Sequence, residues 1–383
     1  MRPITALYII TFLYAVHYAV PLHSESFFLE KIVGVEYVGI VYGVAAFISL
    51  ATTISISSLL RRISIVRFTL LSIVLEAASL LVLAFGTHPS VLIIAFILHI
   101  VFLGALFIAL NIMVEAVSSD YETGRVRGVY LTILNTGILI GPLIASRFVE
   151  NGFTILFSLS AFCILAASYY VLRYLSQIEK WKYSTPNVFY AIRQLRRNPD
   201  TAKIVYAQFL LELFYSVVVI FVPLFLLQSS AITLPVYLGI VLPIVLIPFV
   251  ILPYPLGRLA DTRFGEKEML ICGFGLMTIG LLLLAFIPQL TLPVVILILL
   301  LSRIGASMAE EMTSSYFYKH VSVSDADIIS LFSNTRNAAL IIGPLLGALL
   351  ASIHGESLVL IFVVFAGMLT LGIIPLFKLH DTK

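Results

Sequence analysis

The sequence predicts an all-α integral membrane protein, with twelve transmembrane helices arranged as two parallel six-helix repeats. Three observations carry that reading. Of 383 residues, 61% are hydrophobic and only 11% charged, and mean hydropathy is +1.10. A soluble domain runs about 45–50% apolar and about 25% charged. The apolar residues gather into twelve runs long enough to cross a bilayer core of about 30 Å, which takes about 20 helical residues. Short motifs of the first half also recur in the second, 202 residues later in the clearest case.

The first run, 4–22, follows Met1-Arg2-Pro3 directly and is rich in Tyr and His, with no Ala-x-Ala cleavage pattern, so it reads as a retained helix. Runs at 38–60, 68–86, 91–117, 128–148 and 154–176 complete the first half. The second half holds 203–227, 235–256, 269–287, 294–317, 328–352 and 357–378. Gly86-Thr87-His88-Pro89-Ser90 and Pro288-Gln289 are uncharged turns, as short outer hairpins can be. Other connections are basic, and nineteen of the 23 Lys and Arg residues fall on one side, which predicts both termini in the cytoplasm of a multi-pass cytoplasmic membrane protein.

The chain therefore divides into a six-helix half over 1–176, a cytoplasmic linker over 177–202, and a second half over 203–383. Within the linker, Val188, Phe189, Ile192 and Leu195 share one face of a helix that carries Arg193, Arg196 and Arg197 elsewhere, the pattern of an interfacial helix lying on the lipid. A plain solvated linker is the alternative.

Function classes are narrowed by what the sequence lacks. A formal charge of +3, dispersed along the chain, gives no footprint for nucleic acid. Cys163 and Cys272 lie inside apolar runs, so neither a disulfide framework nor a metal cluster is expected, and no cofactor is implied. No Gly-x4-Gly-Lys-Ser/Thr loop is present to bind ATP, and no His-Glu-x-x-His or Gly-x-Ser-x-Gly motif suggests an enzyme.

The internal repeat is specific. Ile140-Gly141-Pro142-Leu143 recurs as Ile342-Gly343-Pro344-Leu345, and Asn135 and Asn337 each stand six residues before these glycines. Tyr14 with Val20-Pro21-Leu22 matches Tyr215 with Val222-Pro223-Leu224, and Arg62-x4-Arg67-Phe68 matches Arg258-x4-Arg263-Phe264. An even number of spans separates the copies, so both enter the membrane in the same direction, as parallel repeats do.

The turn Gly257-Arg258-Leu259-Ala260-Asp261-Thr262-Arg263-Phe264-Gly265-Glu266-Lys267 resembles the Gly-x-x-x-Asp-Arg-x-Gly-basic-basic loop of the major facilitator superfamily. Thr262 is an insertion relative to that pattern, Glu266 stands where a base is usual, and the helix-4 Arg-x-x-Gln-Gly signature is absent around His99 to Gly104. The resemblance covers essentially the whole chain and implies a secondary transporter working by alternating access, with spans 1, 4, 7 and 10 lining a central cavity. It also implies that Asp261 holds the halves together on the cytoplasmic side, with Arg125 and Arg127 as its available partners. The partners expected are a small-molecule solute, the lipid bilayer and, for a coupled transporter, H+. One chain of this fold encloses its own cavity, so a monomer is sufficient.

Ionisable groups inside a membrane are functional candidates by default. Span 10 carries Arg303, Ser307, Glu310, Glu311 and Ser314; Arg303 and Glu310, seven apart, fall within about 20° on a helical wheel. Arg303 lies about 13 Å from the outer end of its span, at a depth that suits a substrate carboxylate or phosphate, or an internal ion pair with a glutamate. Glu310 and Arg336 sit at matching depths, as a packing lock or a pair that exchanges partners. On span 7, Gln208, Glu212 and Tyr215 share one face, and Glu212 is the leading proton carrier with Glu310 second; a Glu212 bonded to Tyr215 that merely packs is the alternative. A carboxyl group that alternates between apolar protein and water changes its proton affinity, which is what coupling requires.

Span 1 offers Thr11, Tyr14, His17 and Tyr18, of which Tyr14, His17 and Tyr18 are read as substrate-binding. Span 4 adds His99, Asn111 and Glu115. Asn111, Asn135 and Asn337 are substrate contacts or interhelical glue. Glu76 is placed outside the cavity, in a structural role. Gly141, Pro142, Gly343 and Pro344 are bending points for rocking, or sites of close helix packing. Against transport stands a receptor on a transporter scaffold; uniport without protons is the other alternative. The charged residues just named favour transport.

Overall fold

The computed structural model describes residues 3–60, 62–117, 123–175, 188–229, 232–321, 326–353 and 358–380. Among them every regular element is helical, and twelve helical segments are long and apolar enough to cross a membrane. In chain order these begin with α1 Pro3–Leu22, the short α2 Glu25–Val33, α3 Val35–Leu60, α4 Ile65–Phe85, α5 Pro89–Val117, α6 Thr123–Phe148 and α7 Phe153–Tyr174. After α8 Val188–Arg197 come α9 Pro199–Ser229, the segmented eighth span, α14 Glu266–Phe286, α15 Leu292–His320, α16 Ala326–Ile353 and α17 Val359–Leu376.

Two local features depart from the sequence expectation. The connection after α1 folds into α2, which ends at Gly34, where a φ of 82° favours glycine. The eighth span is not one smooth helix but α10 Leu234–Val236, a π turn Tyr237–Val241, α11 Leu242–Leu246, α12 Pro248–Ile251 and α13 Pro253–Leu259, closed by a π turn Ala260–Phe264. Pro243, Pro248, Pro253 and Pro255 explain the segmentation, since each removes an N–H from the helical ladder and crowds the carbonyl four residues back. Gly265, at φ 87°, then turns the chain into α14.

The chain forms two compact units. The first comprises Met1–Gly34, Val41–Thr185 and Leu234–Pro243; the second comprises Val35–Ile40, Pro186–Thr233 and Ile244–Lys383. In the first, α1 packs on α6 and α7, and α4 on α5 and α7. In the second, α9 packs on α16 and α17, and α14 on α15 and α17, so the repeat read from short motifs is repeated in the packing. The expected linker helix forms as α8, with Ala191 buried and Ile192 exposed. Large apolar side chains line the outer surface, Phe162 and Leu297 being 68% and 66% exposed, which is costly in water and natural in lipid.

Small residues set the helix crossings. At Gly141 a Cβ atom would stand 2.3 Å from Ala19 Cβ and 2.6 Å from the Ala19 carbonyl carbon, so α1 and α6 meet backbone to backbone. At Gly343, on α16, a Cβ would stand 2.1 Å from Ser216 Oγ on α9. Both glycines thus mark close packing, and the prolines that follow them, Pro142 and Pro344, lie inside continuous helices.

Candidate functional site

In the second unit, α9 and α15 pack together and bring the candidates of spans 7 and 10 into one cluster. The i, i+4 spacing of Gln208 and Glu212 lets the Gln208 amide donate to Glu212 Oε1 at 3.0 Å. Thr313 on α15 donates to Gln208 Oε1 at 2.9 Å, tying the two helices together through the side chain that holds Glu212. One turn further along α9, the Tyr215 hydroxyl donates to Glu310 Oε2 at 2.7 Å. Glu212 and Tyr215 are half-buried, and Glu310 is exposed.

Two arginines complete this cluster. Arg303 is 4% exposed, with its guanidinium 5.9 Å from the centre of the Phe214 ring. It lies within electrostatic reach of Glu310 and Tyr215, and Arg336 within reach of both Glu212 and Glu310. Ser307 donates to the Pro248 carbonyl of the segmented span at 3.3 Å. Glu311 turns the other way, toward Gly257, and borders a recess of about 560 Å³ lined also by Pro253, Tyr254, Arg258 and Thr262. Arg303 and Glu310, read as sharing one face of span 10, both fall in the cluster, and Glu311 lies outside it.

The first unit holds a second cluster that helical wheels did not reveal. His99 on α5 sits between two carboxylates, Nδ1 at 2.6 Å from Glu76 Oε1 on α4 and Nε2 at 3.1 Å from Glu25 Oε1 on α2. His17 Nε2 lies 3.3 Å from the same Glu76 Oε1, and His17 Nδ1 is 2.8 Å from Ser160 Oγ on α7. The Tyr42 hydroxyl donates to Glu25 Oε2 at 3.4 Å. His17, Glu76 and His99 are 0% exposed and Glu25 is 2%. Glu76 thus stands at the centre of a buried titratable network. Glu25 was missed because its segment read as a connection; the signal available was an acid in the first turn after Ser24, opening an apolar run, Phe27-Phe28-Leu29.

Of the remaining candidates, Tyr14 borders this network, its ring edge-on to His17 with centres 5.8 Å apart. Tyr14 is buried and donates to the Leu103 carbonyl at 3.2 Å, while half-buried Tyr18 stacks on it with ring centres 6.5 Å apart. Asn111 donates to the Phe107 carbonyl of its own helix, Asn337 to Asn334, and Asn135 is exposed. The side chains of Asp261, Arg125, Arg127 and Glu115 lie outside the described residues.

The family model described as Major Facilitator Superfamily matches residues 4–321 and, in a second alignment that begins within α9, residues 207–383. The chain belongs to the major facilitator superfamily. It is accordingly a small-molecule transporter of a membrane rather than an enzyme. The nucleoside transporter NupG has a similar fold, with a TM-score of 0.78 at 15% identity over 100% of both chains. A bacterial homologue of the human lysosomal transporter Spinster is similar with a TM-score of 0.72 at 11% identity, over 98% of this chain and 94% of that one. No curated protein matches the sequence. At these identities the structural likeness speaks for the fold of this transporter and leaves its solute to the site chemistry.

Proposed function

We propose that this major facilitator moves a small organic solute across the cytoplasmic membrane by proton-coupled alternating access, with both termini on the cytoplasmic side. The observation that supports it best is the cluster of Glu212, Glu310, Tyr215 and Arg303 on the facing helices α9 and α15, with Arg336 within electrostatic reach. Arg303 offers a planar donor for an anionic or oxygen-rich part of the solute, and Tyr215 a ring and a hydroxyl. Glu212 takes up and releases the proton, held in place by Gln208, and Glu310 answers to the charge of the two arginines. Tyr14, His17, Tyr18, Asn111, Asn135 and Asn337 are assigned to solute binding. Asp261, Arg125, Arg127, Arg336 and the Gly-Pro pairs of α6 and α16 are assigned to gating.

The test is internal pH in proteoliposomes carrying a trapped pH-sensitive dye, with solute pools added outside. Nucleosides come first, because a nucleoside transporter shares the fold, followed by zwitterionic metabolites and drug-like cations. A solute-dependent proton flux that is lost in Glu212→Gln supports the proposal. Solute uptake that proceeds at the same rate with and without a pH gradient would replace coupling with uniport.

A further inference from the structure

The buried cluster of the first unit can be counted proton by proton, because its partners leave little choice. Ser160 gives its one hydroxyl hydrogen to the His17 carbonyl at 2.7 Å, so toward the His17 ring its oxygen only accepts. His17 Nδ1, 2.8 Å from that oxygen, therefore carries the hydrogen. In a neutral ring Nε2 is then a bare lone pair, and it faces Glu76 Oε1 at 3.3 Å. An ionised Glu76 would set two lone pairs against each other where neither residue has any solvent exposure. One proton between the two atoms turns that repulsion into a hydrogen bond, whether it resides on the carboxyl or on the ring.

The same count applies to His99. Both of its ring nitrogens lie within 3.1 Å of a carboxylate oxygen, and a neutral ring has a single N–H, so the two contacts require one proton more than a neutral ring with two carboxylates supplies. With that proton alone the group of Glu25, His99, Glu76 and His17 carries one negative charge inside the protein, a costly state. A second proton, between Glu76 and His17, makes it neutral. His17 Nε2 and Glu76 Oε2 make no hydrogen bond to another protein group, so beyond the His99 contact at Glu76 Oε1 no hydrogen bond among the described residues bears on where this proton sits.

The fold does not demand this chemistry. Helices α4 and α14 are both 21 residues long and start at 65 and 266, which sets Met277 opposite Glu76 in the repeat. Helices α5 and α15 are both 29 residues long and start at 89 and 292, which sets Ser302 opposite His99. The match of Tyr14 with Tyr215 sets Val218 opposite His17. Val218, Met277 and Ser302 are all buried, and the Ser302 hydroxyl is satisfied within its own helix by the Leu299 carbonyl. At these three matched positions the second repeat has no titratable side chain, and the first has three.

We propose that Glu76 and His17 bind one exchangeable proton, making the first six-helix unit a proton-binding site separate from Glu212. The groups facing it are Tyr14 and Tyr18 from α1, Glu25 from α2, Tyr42 from α3 and His99 from α5; α7 supplies the neutral hydroxyl of Ser160, and α6 meets α1 there through Gly137 and Gly141. The proton leaves when water reaches the pair, because a hydrated carboxylate and a hydrated imidazole no longer need to share it.

Histidine ring nitrogen NMR and carboxyl infrared spectra of the full chain in lipid nanodiscs, titrated through the neutral pH range, test this directly. His17→Asn assigns the ring signals. The expected result is a His17 ring protonated on Nδ1 throughout, with a one-proton step that moves its Nε2 signal together with a carboxyl C=O band. That band and that step are both lost in Glu76→Gln. Should Glu76→Gln fail to fold, Ser160→Ala serves instead, since it frees the ring to take the other tautomer and displaces the step. A neutral His17 carrying its hydrogen on Nε2, or a titration in which neither His17 nor Glu76 changes, overturns the proposal. No solute is present, so either outcome is independent of coupling at Glu212.

Discussion

Tyr215 donates to Glu310 across 2.7 Å, reaching from the first helix of the second repeat to its fourth. Its match in the first repeat, Tyr14, makes the same reach from α1 to α5 but ends on the Leu103 carbonyl at 3.2 Å. The two halves thus share one helix-to-helix strut and differ in its acceptor. A backbone carbonyl is neutral and does not titrate, whereas a carboxylate can gain a proton or a new partner. The strut of the second repeat therefore has a strength that depends on charge, and that of the first does not.

Tyr215→Phe tests that contact. It removes one donor from Glu310, and a hydrogen bond to a charged group is worth about 1.5–3 kcal/mol. Solute affinity measured by calorimetry is expected to fall about tenfold or more, with each 1.4 kcal/mol a factor of ten. An unchanged affinity would assign the strut to packing alone.

Glu212→Gln keeps the shape and the partner of Glu212 but removes its titration, since a glutamine still meets the Gln208 amide. Solute-driven proton flux in proteoliposomes is expected to drop about a hundredfold, on the scale of lost proton transfer by a positioned group. Counterflow exchange of labelled solute should survive, because it needs no net proton movement.

Arg303→Lys preserves the charge but loses the planar group set against Phe214. A lysine presents a point charge on a flexible stem, so solute binding is expected to weaken about tenfold, and Arg303→Gln to weaken it further. Equal affinities for the arginine and lysine proteins would mean that charge alone is read at this position.

The helix crossings respond differently to one added methyl group. Gly141→Ala drives a Cβ into the Ala19 backbone, and overpacking of this kind costs about 1–3 kcal/mol. Gly343→Ala meets a serine oxygen instead, and pairing it with Ser216→Ala removes that atom. Thermal unfolding in detergent should therefore show a lower Tm for Gly141→Ala, and a Gly343→Ala defect relieved in the double variant.

The sequence by itself determined the membrane class, the spans and the repeat. An apolar run of a given length carries its meaning locally, because the bilayer sets the length. A motif such as Ile-Gly-Pro-Leu recurring 202 residues on carries it by self-comparison. The face shared by Gln208, Glu212 and Tyr215 was legible for the same reason, being a property of one helix. The breaks in the eighth span had a local cause in Pro243, Pro248, Pro253 and Pro255, but run length alone reads across them.

Only the tertiary structure decided which faces meet. His17, Glu25, Glu76 and His99 come from four helices, α1, α2, α4 and α5, and a helical wheel states which way each residue points without naming the neighbour it finds. Glu76 and His99, 23 residues apart in sequence, come within 2.6 Å because α4 and α5 pack side by side. Glu311, one position from Glu310, was drawn away from the cluster because successive helical residues lie about 100° apart. Pairwise contact between distant segments is settled by which packing buries the most apolar surface while satisfying every buried polar group, and that balance exists only once all the helices are in place.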